Sequence, residues 1–211
     1  MSELARRREY SVQKLAELKN QLKSAQSNAE GKACVYATGS FGRREAGENS
    51  DLDLFIVGKS DEQSGGSEKR LLSRLEEICI KANLIETCRR MKLPEFTGEG
   101  QYLVHYSIRD FTNTLGKPED DSTNTFTARL LPLLESQCLL GQDVYDEAIS
   151  DVIAAYWRDY EGHERSFMPA FLCNDILRLW RTFCVNYEAR TEREPEEKKA
   201  KGKIKNYKLK H

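Results

Sequence analysis

The amino-acid sequence predicts an α+β protein in which a leading helix and a small mixed β-sheet precede a helical domain. Residues 2 to about 29 contain neither glycine nor proline and repeat apolar residues at helical spacing, as in Leu15, Leu18 and Leu22. Short apolar stretches bounded by turn residues follow and predict strands, and helical periodicity returns from about residue 125 to about residue 190. We therefore expect the sheet in the first half of the chain and helices in the second.

Four stretches predict the strands of the sheet. Residues 33–38 form an apolar strand that leads to Gly39, and residues 51–57 form a strand in which carboxylates alternate with apolar residues. Residues 84–88 and residues 102–108 are the other two predicted strands, separated by a loop. Together these strands would complete a small mixed sheet.

Helical periodicity predicts further helices after the second strand. Ser67 is expected to cap one helix, whose apolar face carries Leu71, Leu72, Leu75, Ile78 and Cys79. Three more helices are expected around residues 128–140, 144–160 and 171–190. Pro132 predicts a kink or a late start in the first of these three.

The predicted domain organisation has four parts. We expect a leading helix over residues 1–30, a sheet-bearing domain over residues 31–122, a helical domain over residues 123–190 and a basic polar tail over residues 191–211. The tail is too polar to bury much surface. It ends as if an element continued beyond His211, which predicts that the natural chain is longer.

Composition and charge exclude some classes of function. The chain has 211 residues with 33 Lys and Arg against 34 Asp and Glu, so no overall charge argues for binding nucleic acid or a membrane.

The six cysteines form no CxxC pair, which predicts reduced core thiols in a cytoplasmic protein. No leader opens the chain and no apolar run approaches membrane-spanning length. We therefore expect a soluble, cytoplasmic protein without a membrane partner.

The stretch from Gly39 to Val57 is the strongest indication of chemistry. Asp51 and Asp53 alternate with Leu52 and Leu54, so the two carboxylates are expected on one side of a strand and the leucines in the core. Neighbouring carboxylates repel each other, and a divalent cation makes such a pair tolerable. Magnesium is the oxygen-seeking candidate, and it usually takes its remaining ligands from phosphates.

This stretch carries a resemblance to a known family. Gly39-Ser40 followed by Asp51-Leu52-Asp53-Leu54 resembles the motif of the DNA polymerase β-type nucleotidyltransferases. Within that superfamily the stretch is most similar to the N-terminal nucleotidyltransferase domain of PII-protein uridylyltransferases and their uncharacterised bacterial relatives. A second stretch, His105 to Asp110 and then Thr127 to Gly141, is similar in order and spacing. The resemblance implies that residues 31–122 form a polymerase β-like nucleotidyltransferase domain.

The resemblance also implies a reaction. A nucleoside monophosphate would pass from a nucleoside triphosphate, ATP among the candidates, to an acceptor hydroxyl on a protein, an RNA end or a nucleotide, with release of pyrophosphate. Two magnesium ions, with manganese as the alternative, would be held by Asp51 and Asp53. Glu86 is the candidate third catalytic carboxylate by its predicted place in a strand, and Asp110 and Glu99 are the alternatives. The position near Leu103, where related uridylyltransferases carry an acid, is apolar.

Further residues are candidates for binding the nucleotide. Gly39 and Ser40 would let backbone N–H groups approach the triphosphate at a helix N-terminus. Arg43 and Arg44 would contact phosphate or pair with Glu45 or Glu48. Arg109 and Arg178 would contact phosphate or base, or else form salt bridges, for Arg178 with Asp175.

Two functions from different classes remain open at this point. The first is the nucleotidyltransferase, which Gly39-Ser40 and both aspartates favour. The second is a regulatory or interaction module that binds a nucleotide with little or no turnover, which the apolar position near Leu103 favours. The sequence leaves the acceptor, the preferred base and the oligomeric state open.

Overall fold

The structure, a computed structural model, describes residues 2–62, 68–96 and 103–191. The chain divides into two compact units, Met1–Phe167 and Met168–His211. The described strands of the first unit are β1 Ala33–Thr38, β2 Asp53–Gly58, β3 Ser60–Glu62, β4 Glu68–Arg70, β5 His105–Ser107 and β6 Gln137–Leu140. Its described helices are α1 Glu3–Gln21, α2 Lys23–Ala29, α3 Gly39–Gly42, α4 Arg74–Arg90, α5 Ile108–Asn113, α6 Pro118–Ser122, α7 Thr125–Leu134 and α8 Gln142–Tyr156.

A four-stranded mixed sheet in the order β5-β2-β1-β6 is the centre of the first unit. Strand β1 is antiparallel to β2 and to β6, whereas β2 is parallel to β5. The register pairs Ala33 with Gly58 and Thr38 with Asp53. Strands β3 and β4 form a separate antiparallel pair. The predicted α+β class, with a leading helix and a small mixed sheet, is confirmed.

The sheet is covered on both faces, which is why all six residues of β1 are buried. One face carries Val35, Ala37 and Ile56, which belong to a core cluster with apolar residues of α1, α2 and α4. The other face carries aromatic side chains. The ring centroids of Tyr36 and Phe55 are 5.6 Å apart, and those of Phe55 and Tyr106 are 6.0 Å apart. Burial of apolar surface on the two faces is the main force that holds the unit together.

Helix α4 corrects two predictions. Residues 84–88 are not a strand, because α4 runs without interruption from Arg74 to Arg90. Its buried residues, Ile80, Leu84, Thr87 and Cys88, recur at helical spacing, whereas Leu75 and Ile78 of the predicted apolar face are exposed. The helix begins at Ser73, where Ser73 and Glu76 form a reciprocal capping box. Ser67, the predicted cap, lies outside the described residues.

The segment after residue 125 contains a strand that the sequence did not predict. Helix α7 ends at Leu134, and residues 137–140, expected to be helical, form β6 and pair with β1. Pro132 lies inside α7 and has no N–H to donate to the carbonyl of Ala128. The Tyr36 hydroxyl donates to that carbonyl over 2.9 Å. Burial raises the pKa of Tyr36, so its hydroxyl keeps the proton that this bond uses.

The remaining predicted helices are observed. Helix α8 corresponds to the segment predicted around 144–160, and α9, Ala170–Thr191 in the second unit, to the segment around 171–190. On α9 the guanidinium of Arg178 donates to the carboxylate of Asp175 over 2.8 Å. Residues 192–211, which make up most of the predicted tail, lie outside the described residues. Of the helices in the described part of the chain, none is both long and apolar enough to cross a bilayer.

The cysteines are free thiols in two environments. Cys34, Cys88 and Cys138 are buried, as expected for core thiols, and burial raises the pKa of both Cys88 and Cys138 to about 11. Cys79, Cys173 and Cys184 are exposed, so the prediction of core positions is wrong for these three.

An ion pair with no solvent exposure joins α6 to α7. The guanidinium of Arg129 donates to both carboxylate oxygens of Asp120 over 2.9 and 2.7 Å, and both side chains are 0% exposed. Arg129 also donates to the Phe111 carbonyl over 2.9 Å and to the Tyr156 hydroxyl over 3.1 Å. Since every one of these contacts lies in the core, loss of one partner would leave the other charge buried.

We expect Arg129→Met to lower the free energy of unfolding by about 3–5 kcal/mol, because the Asp120 carboxylate would stay buried without its guanidinium. Urea denaturation followed by circular dichroism measures this change. The matched control is Arg6→Met, which removes an exposed ion pair with Glu3 and should leave the free energy of unfolding nearly unchanged. Equal losses in the two variants would contradict the assigned role of Arg129.

His105 lies on β5 and is buried, with 8% of its surface exposed. Its Nδ1 atom lies 3.2 Å from Glu77 Oε2. The Nε2 atom faces Gly58 so closely that a Cβ on Gly58 would lie 2.2 Å from it, and Nε2 has no hydrogen-bond partner among the described residues. Burial lowers the pKa of His105 and outweighs the opposing effect of the Glu77 carboxylate. His105 is therefore a neutral core residue near neutral pH.

The lowered pKa of His105 predicts a pH dependence of stability. The unfolded chain binds a proton at this position more readily than the folded chain, so stability falls as the pH falls below about 6.5. Between about pH 7.5 and about pH 5.5, His105→Gln should lose less unfolding free energy than the unsubstituted protein. His163→Gln, at an exposed loop position, is the control and should keep the original profile. Urea titrations at the two pH values make the comparison, and an identical profile for His105→Gln would refute it.

Candidate functional site

The turn between β1 and α3 is built around Gly39. Its φ of +63° lies in the left-handed region that favours glycine. A Cβ at this position would lie 2.6 Å from Oδ2 of Asp53, so the Asp53 carboxylate packs directly against Gly39. The fully buried side chain of Phe41 anchors α3 in the core. The antiparallel pairing of β1 with β2 thus brings the two halves of the motif into contact.

The two aspartates stand at the start of β2. Asp53 is its first residue and is exposed, and Asp51, two residues earlier, is half-buried. Leu52 and Leu54 are 4% and 5% exposed, which confirms that the leucines enter the core. Across the described ranges, no group of three or more His, Cys, Asp or Glu side chains is arranged to hold a metal ion.

The loop that joins Gly39-Ser40 to Asp51 is fixed by the leading helix. Ser11 is fully buried, and its hydroxyl accepts a hydrogen bond from the Ala46 N–H over 2.8 Å and donates to the Arg7 carbonyl over 2.7 Å. The sequence prediction missed Ser11 as a positioning residue. Its spacing was the available signal, because Ser11 lies four residues before Leu15 on the apolar face of α1.

Two cavities adjoin this unit, and they differ in their relation to the motif. One of about 410 Å³ lies between α1 and the loop, and Arg6, Tyr10 and Ser50 are among its lining residues. It is therefore directly beside the residue that precedes Asp51. The larger, of about 730 Å³, is lined by residues of β4, of α4 and of the turn between them, and none of these belongs to the motif.

Helix α3 is also held by Glu135, which connects α7 to β6, and by Gln137, the first residue of β6. The carboxylate of Glu135 accepts from the Gly39 N–H over 3.1 Å through Oε1 and from Arg43 through Oε2. Gln137 donates to the Gly42 carbonyl over 3.3 Å and accepts from Arg44 over 3.0 Å. These contacts join residues more than ninety positions apart, and the sequence prediction missed both Glu135 and Gln137.

The two candidate arginines therefore have partners within the protein. Arg43 donates to Glu45 over 3.1 Å, which is the pairing considered from the sequence, and also to Glu135. Burial acts to lower the pKa of Arg43, but the two carboxylates raise it above its usual value. Arg44 has a left-handed backbone, with φ of +58°, and donates to the neutral amide oxygen of Gln137. Ser40 follows Gly39 on α3 and is half-buried.

Glu86 does not occupy the strand position from which it was expected to reach the metals. It lies on the exposed face of α4, because the buried face of that helix takes Leu84, Thr87 and Cys88. Of the alternatives for the third carboxylate, Glu99 lies outside the described residues. The carboxylate of Asp110 accepts from the Ser107 N–H over 3.0 Å and caps α5.

Arg109 and Leu103 flank β5 at its two ends. Ser107 pairs with Gly58, so Arg109, at the start of α5, follows the end of the sheet at which β2 ends. Asp53 starts β2, about 16 Å away along the strand. Continuing the β2–β5 register back from His105 places Leu103, which is 6% exposed, level with Leu54. Arg178 belongs to the second unit, and its described pairing is with Asp175.

Comparison with known proteins gives one match. Residues 15–121, just over half of the chain, match a family model described as a nucleotidyltransferase domain. This range includes Gly39, Ser40, Asp51 and Asp53. Comparisons with curated proteins and with solved structures found no match.

The contact between Gly39 and Asp53 predicts a difference between two glycine substitutions. Gly31 and Gly39 have nearly equal φ values, +66° and +63°, but a Cβ on Gly31 would meet nothing within 4 Å. Gly31→Ala should therefore cost only the backbone strain, about 1–2 kcal/mol. Gly39→Ala should cost on the order of 0.5–1 kcal/mol more, because the new methyl group would force the exposed Asp53 carboxylate out of its rotamer. Urea denaturation measures the loss of unfolding free energy in each variant. Equal losses would show that the Asp53 carboxylate moves away from the new methyl group without cost.

Proposed function

The chain belongs to the nucleotidyltransferase domain family, and from this premise we propose that it moves a nucleoside monophosphate from a nucleoside triphosphate to an acceptor hydroxyl, with release of pyrophosphate. The observation that carries the proposal is the packing of the Asp53 carboxylate against Gly39. This contact brings the Gly39-Ser40 turn next to the strand that carries the two aspartates. The proposed reaction needs both, the turn for the triphosphate and the aspartates for the cations. The proposed closeness to the PII-protein uridylyltransferases rests on the sequence resemblance alone.

Asp51 and Asp53 are the residues that would hold divalent cations. The donor set fits magnesium or manganese bound together with a nucleotide, because one or two carboxylates are enough when phosphates and waters supply the other ligands. Bound there, the cations would activate the attacking hydroxyl and neutralise charge on the leaving pyrophosphate. The buried neighbours Leu52 and Leu54 fix the backbone on which both carboxylates stand.

The turn at Gly39 would receive the triphosphate. Glycine at this position leaves the backbone open to a close approach, and Ser40 adds a hydroxyl that can donate to a phosphate oxygen. Arg43 and Arg44 directly follow this short helix and add two guanidinium groups, and guanidinium binds phosphate oxygens strongly. Ser11 contributes indirectly, because it fixes the loop between this turn and Asp51.

We propose the acceptor from the sequence resemblance. A protein side chain is the acceptor that the uridylyltransferase resemblance implies, and an RNA end or a nucleotide are the others that one superfamily serves. We propose that the reaction takes place in the cytoplasm, since all six cysteines are free.

A second candidate is a nucleotide-binding module with little or no turnover. The observation that favours it is the apolar and buried side chain of Leu103, near the position at which related uridylyltransferases carry an acid. Without that third carboxylate, the site would bind the nucleotide but would activate an acceptor hydroxyl poorly.

We expect Asp51→Asn and Asp53→Asn to reduce nucleotidyl transfer by at least about 100-fold, since each removes a carboxylate from the proposed cation site. The assay incubates the full chain with each labelled triphosphate and magnesium or manganese, and measures label transfer and pyrophosphate release. Asp143→Asn, on the exposed surface of α8, is the control and should retain the starting activity.

The same assay separates the two candidates. Transfer that persists in the Asp51→Asn/Asp53→Asn double variant would exclude the proposed mechanism. Triphosphate binding without transfer to protein, RNA or nucleotide acceptors would favour the binding module.

A further inference from the structure

The carboxylate of Glu135 occupies two donors that the proposed function assigns to phosphate. It accepts from the Gly39 N–H over 3.1 Å and from the guanidinium of Arg43. We propose that Glu135 is an internal anion that competes with the triphosphate for these donors, so that nucleotide binding requires its displacement. This inference rests on the proposed function, since it concerns regulation of the same site.

Glu135 is fixed in this position by its backbone as well as by its side chain. It follows the last residue of α7, and its carbonyl oxygen faces Gly42 so closely that a Cβ on Gly42 would lie 2.6 Å away. Its side chain is 14% exposed, compared with 35% for Arg43. The carboxylate is therefore presented to α3 by the fold and is not a freely moving surface group.

The chemistry of the two donors argues for competition. A backbone N–H beside a guanidinium is a pair that binds carboxylate and phosphate oxygens alike. A triphosphate that uses the same pair would meet the Glu135 charge at close range, in a partly buried site where repulsion is stronger than in water. Asp53 lies on another side of Gly39, so acidic groups already flank this glycine before a nucleotide arrives.

Two other roles for Glu135 predict different behaviour. As a purely structural brace of α3, Glu135 would support nucleotide binding, and its neutralisation would weaken binding or leave it unchanged. As a third metal ligand it would have to join Asp51 and Asp53, but the described side chains form no such group of three. The sign of the change in nucleotide affinity therefore identifies the role.

The Gln137 contacts make the substitution Glu135→Gln a test of the charge rather than of the position of α3. They hold the Gly42 carbonyl and Arg44 independently of Glu135, so α3 keeps an anchor when the Glu135 charge is removed. Glu135→Gln also keeps an oxygen that can accept from the Gly39 N–H. The variant thus removes the charge and preserves the shape.

The experiment measures the dissociation constants of the four magnesium nucleoside triphosphates by calorimetry on the full chain. Glu135→Gln should bind about three- to tenfold more tightly than the unsubstituted protein, the range expected for removal of one partly exposed like charge. Glu147→Gln removes the same charge from an ion pair with Lys59 and should change the affinity less than about twofold. Glu135→Ala is the second variant, should Glu135→Gln fail to fold by circular dichroism.

The measured affinities distinguish failure of the internal anion from failure of the proposed function. Equal or weaker binding by Glu135→Gln, with Asp53-dependent binding by the unsubstituted protein, would overturn the internal anion and leave the proposed function standing. Binding that appears only when Glu135 is neutralised would support it. If no variant binds any triphosphate, both the internal anion and the proposed function fail.

Discussion

The antiparallel pairing of β1 with β2 is the constraint on which the site depends. It places Thr38 opposite Asp53, and the next residue, Gly39, receives the Asp53 carboxylate where a side chain would otherwise stand. Burial of β1 on both faces makes this register costly to change, since a shift by one residue would move every side chain of the strand to the opposite face. The core and the candidate site therefore share one element, and the precision of the site follows from the packing of the sheet.

Much of this arrangement could be predicted from the sequence where the signal is local. The bounds of β1 follow from an apolar run between Gly31 and Gly39. The core positions of Leu52 and Leu54 follow from the alternation with Asp51 and Asp53, and the family follows from this motif together with Gly39-Ser40. Residues 84–88 misled because their composition suits a strand, whereas the absence of glycine and proline between Arg74 and Arg90 favoured an uninterrupted helix. Strand β6 misled because its three apolar residues, Cys138 to Leu140, are too few to show a period, and pairing with β1 decides its conformation. Glu135 gave no local signal, since its partner Gly39 lies 96 positions away.

The second resembling stretch has a role that the resemblance did not specify. Arg129, within Thr127–Leu131, makes its described contacts in the core, where it joins α5, α6 and α8 to α7 through Phe111, Asp120 and Tyr156. Helix α7 then ends at the residue that precedes Glu135. Arg129 of the buried ion pair and Glu135, which contacts Gly39, thus lie on one continuous segment. The position of Glu135 therefore depends on how α7 packs against α5, α6 and α8.

The proline inside α7 has a consequence for how such sequences can diverge. Pro132 leaves the Ala128 carbonyl without its helical donor, and Tyr36, on the neighbouring strand, supplies the replacement. The two positions are therefore expected to covary among homologues. A homologue with phenylalanine in place of the tyrosine would leave a desolvated oxygen unless an amide hydrogen returned at the proline position, so each residue constrains the evolutionary replacement of the other.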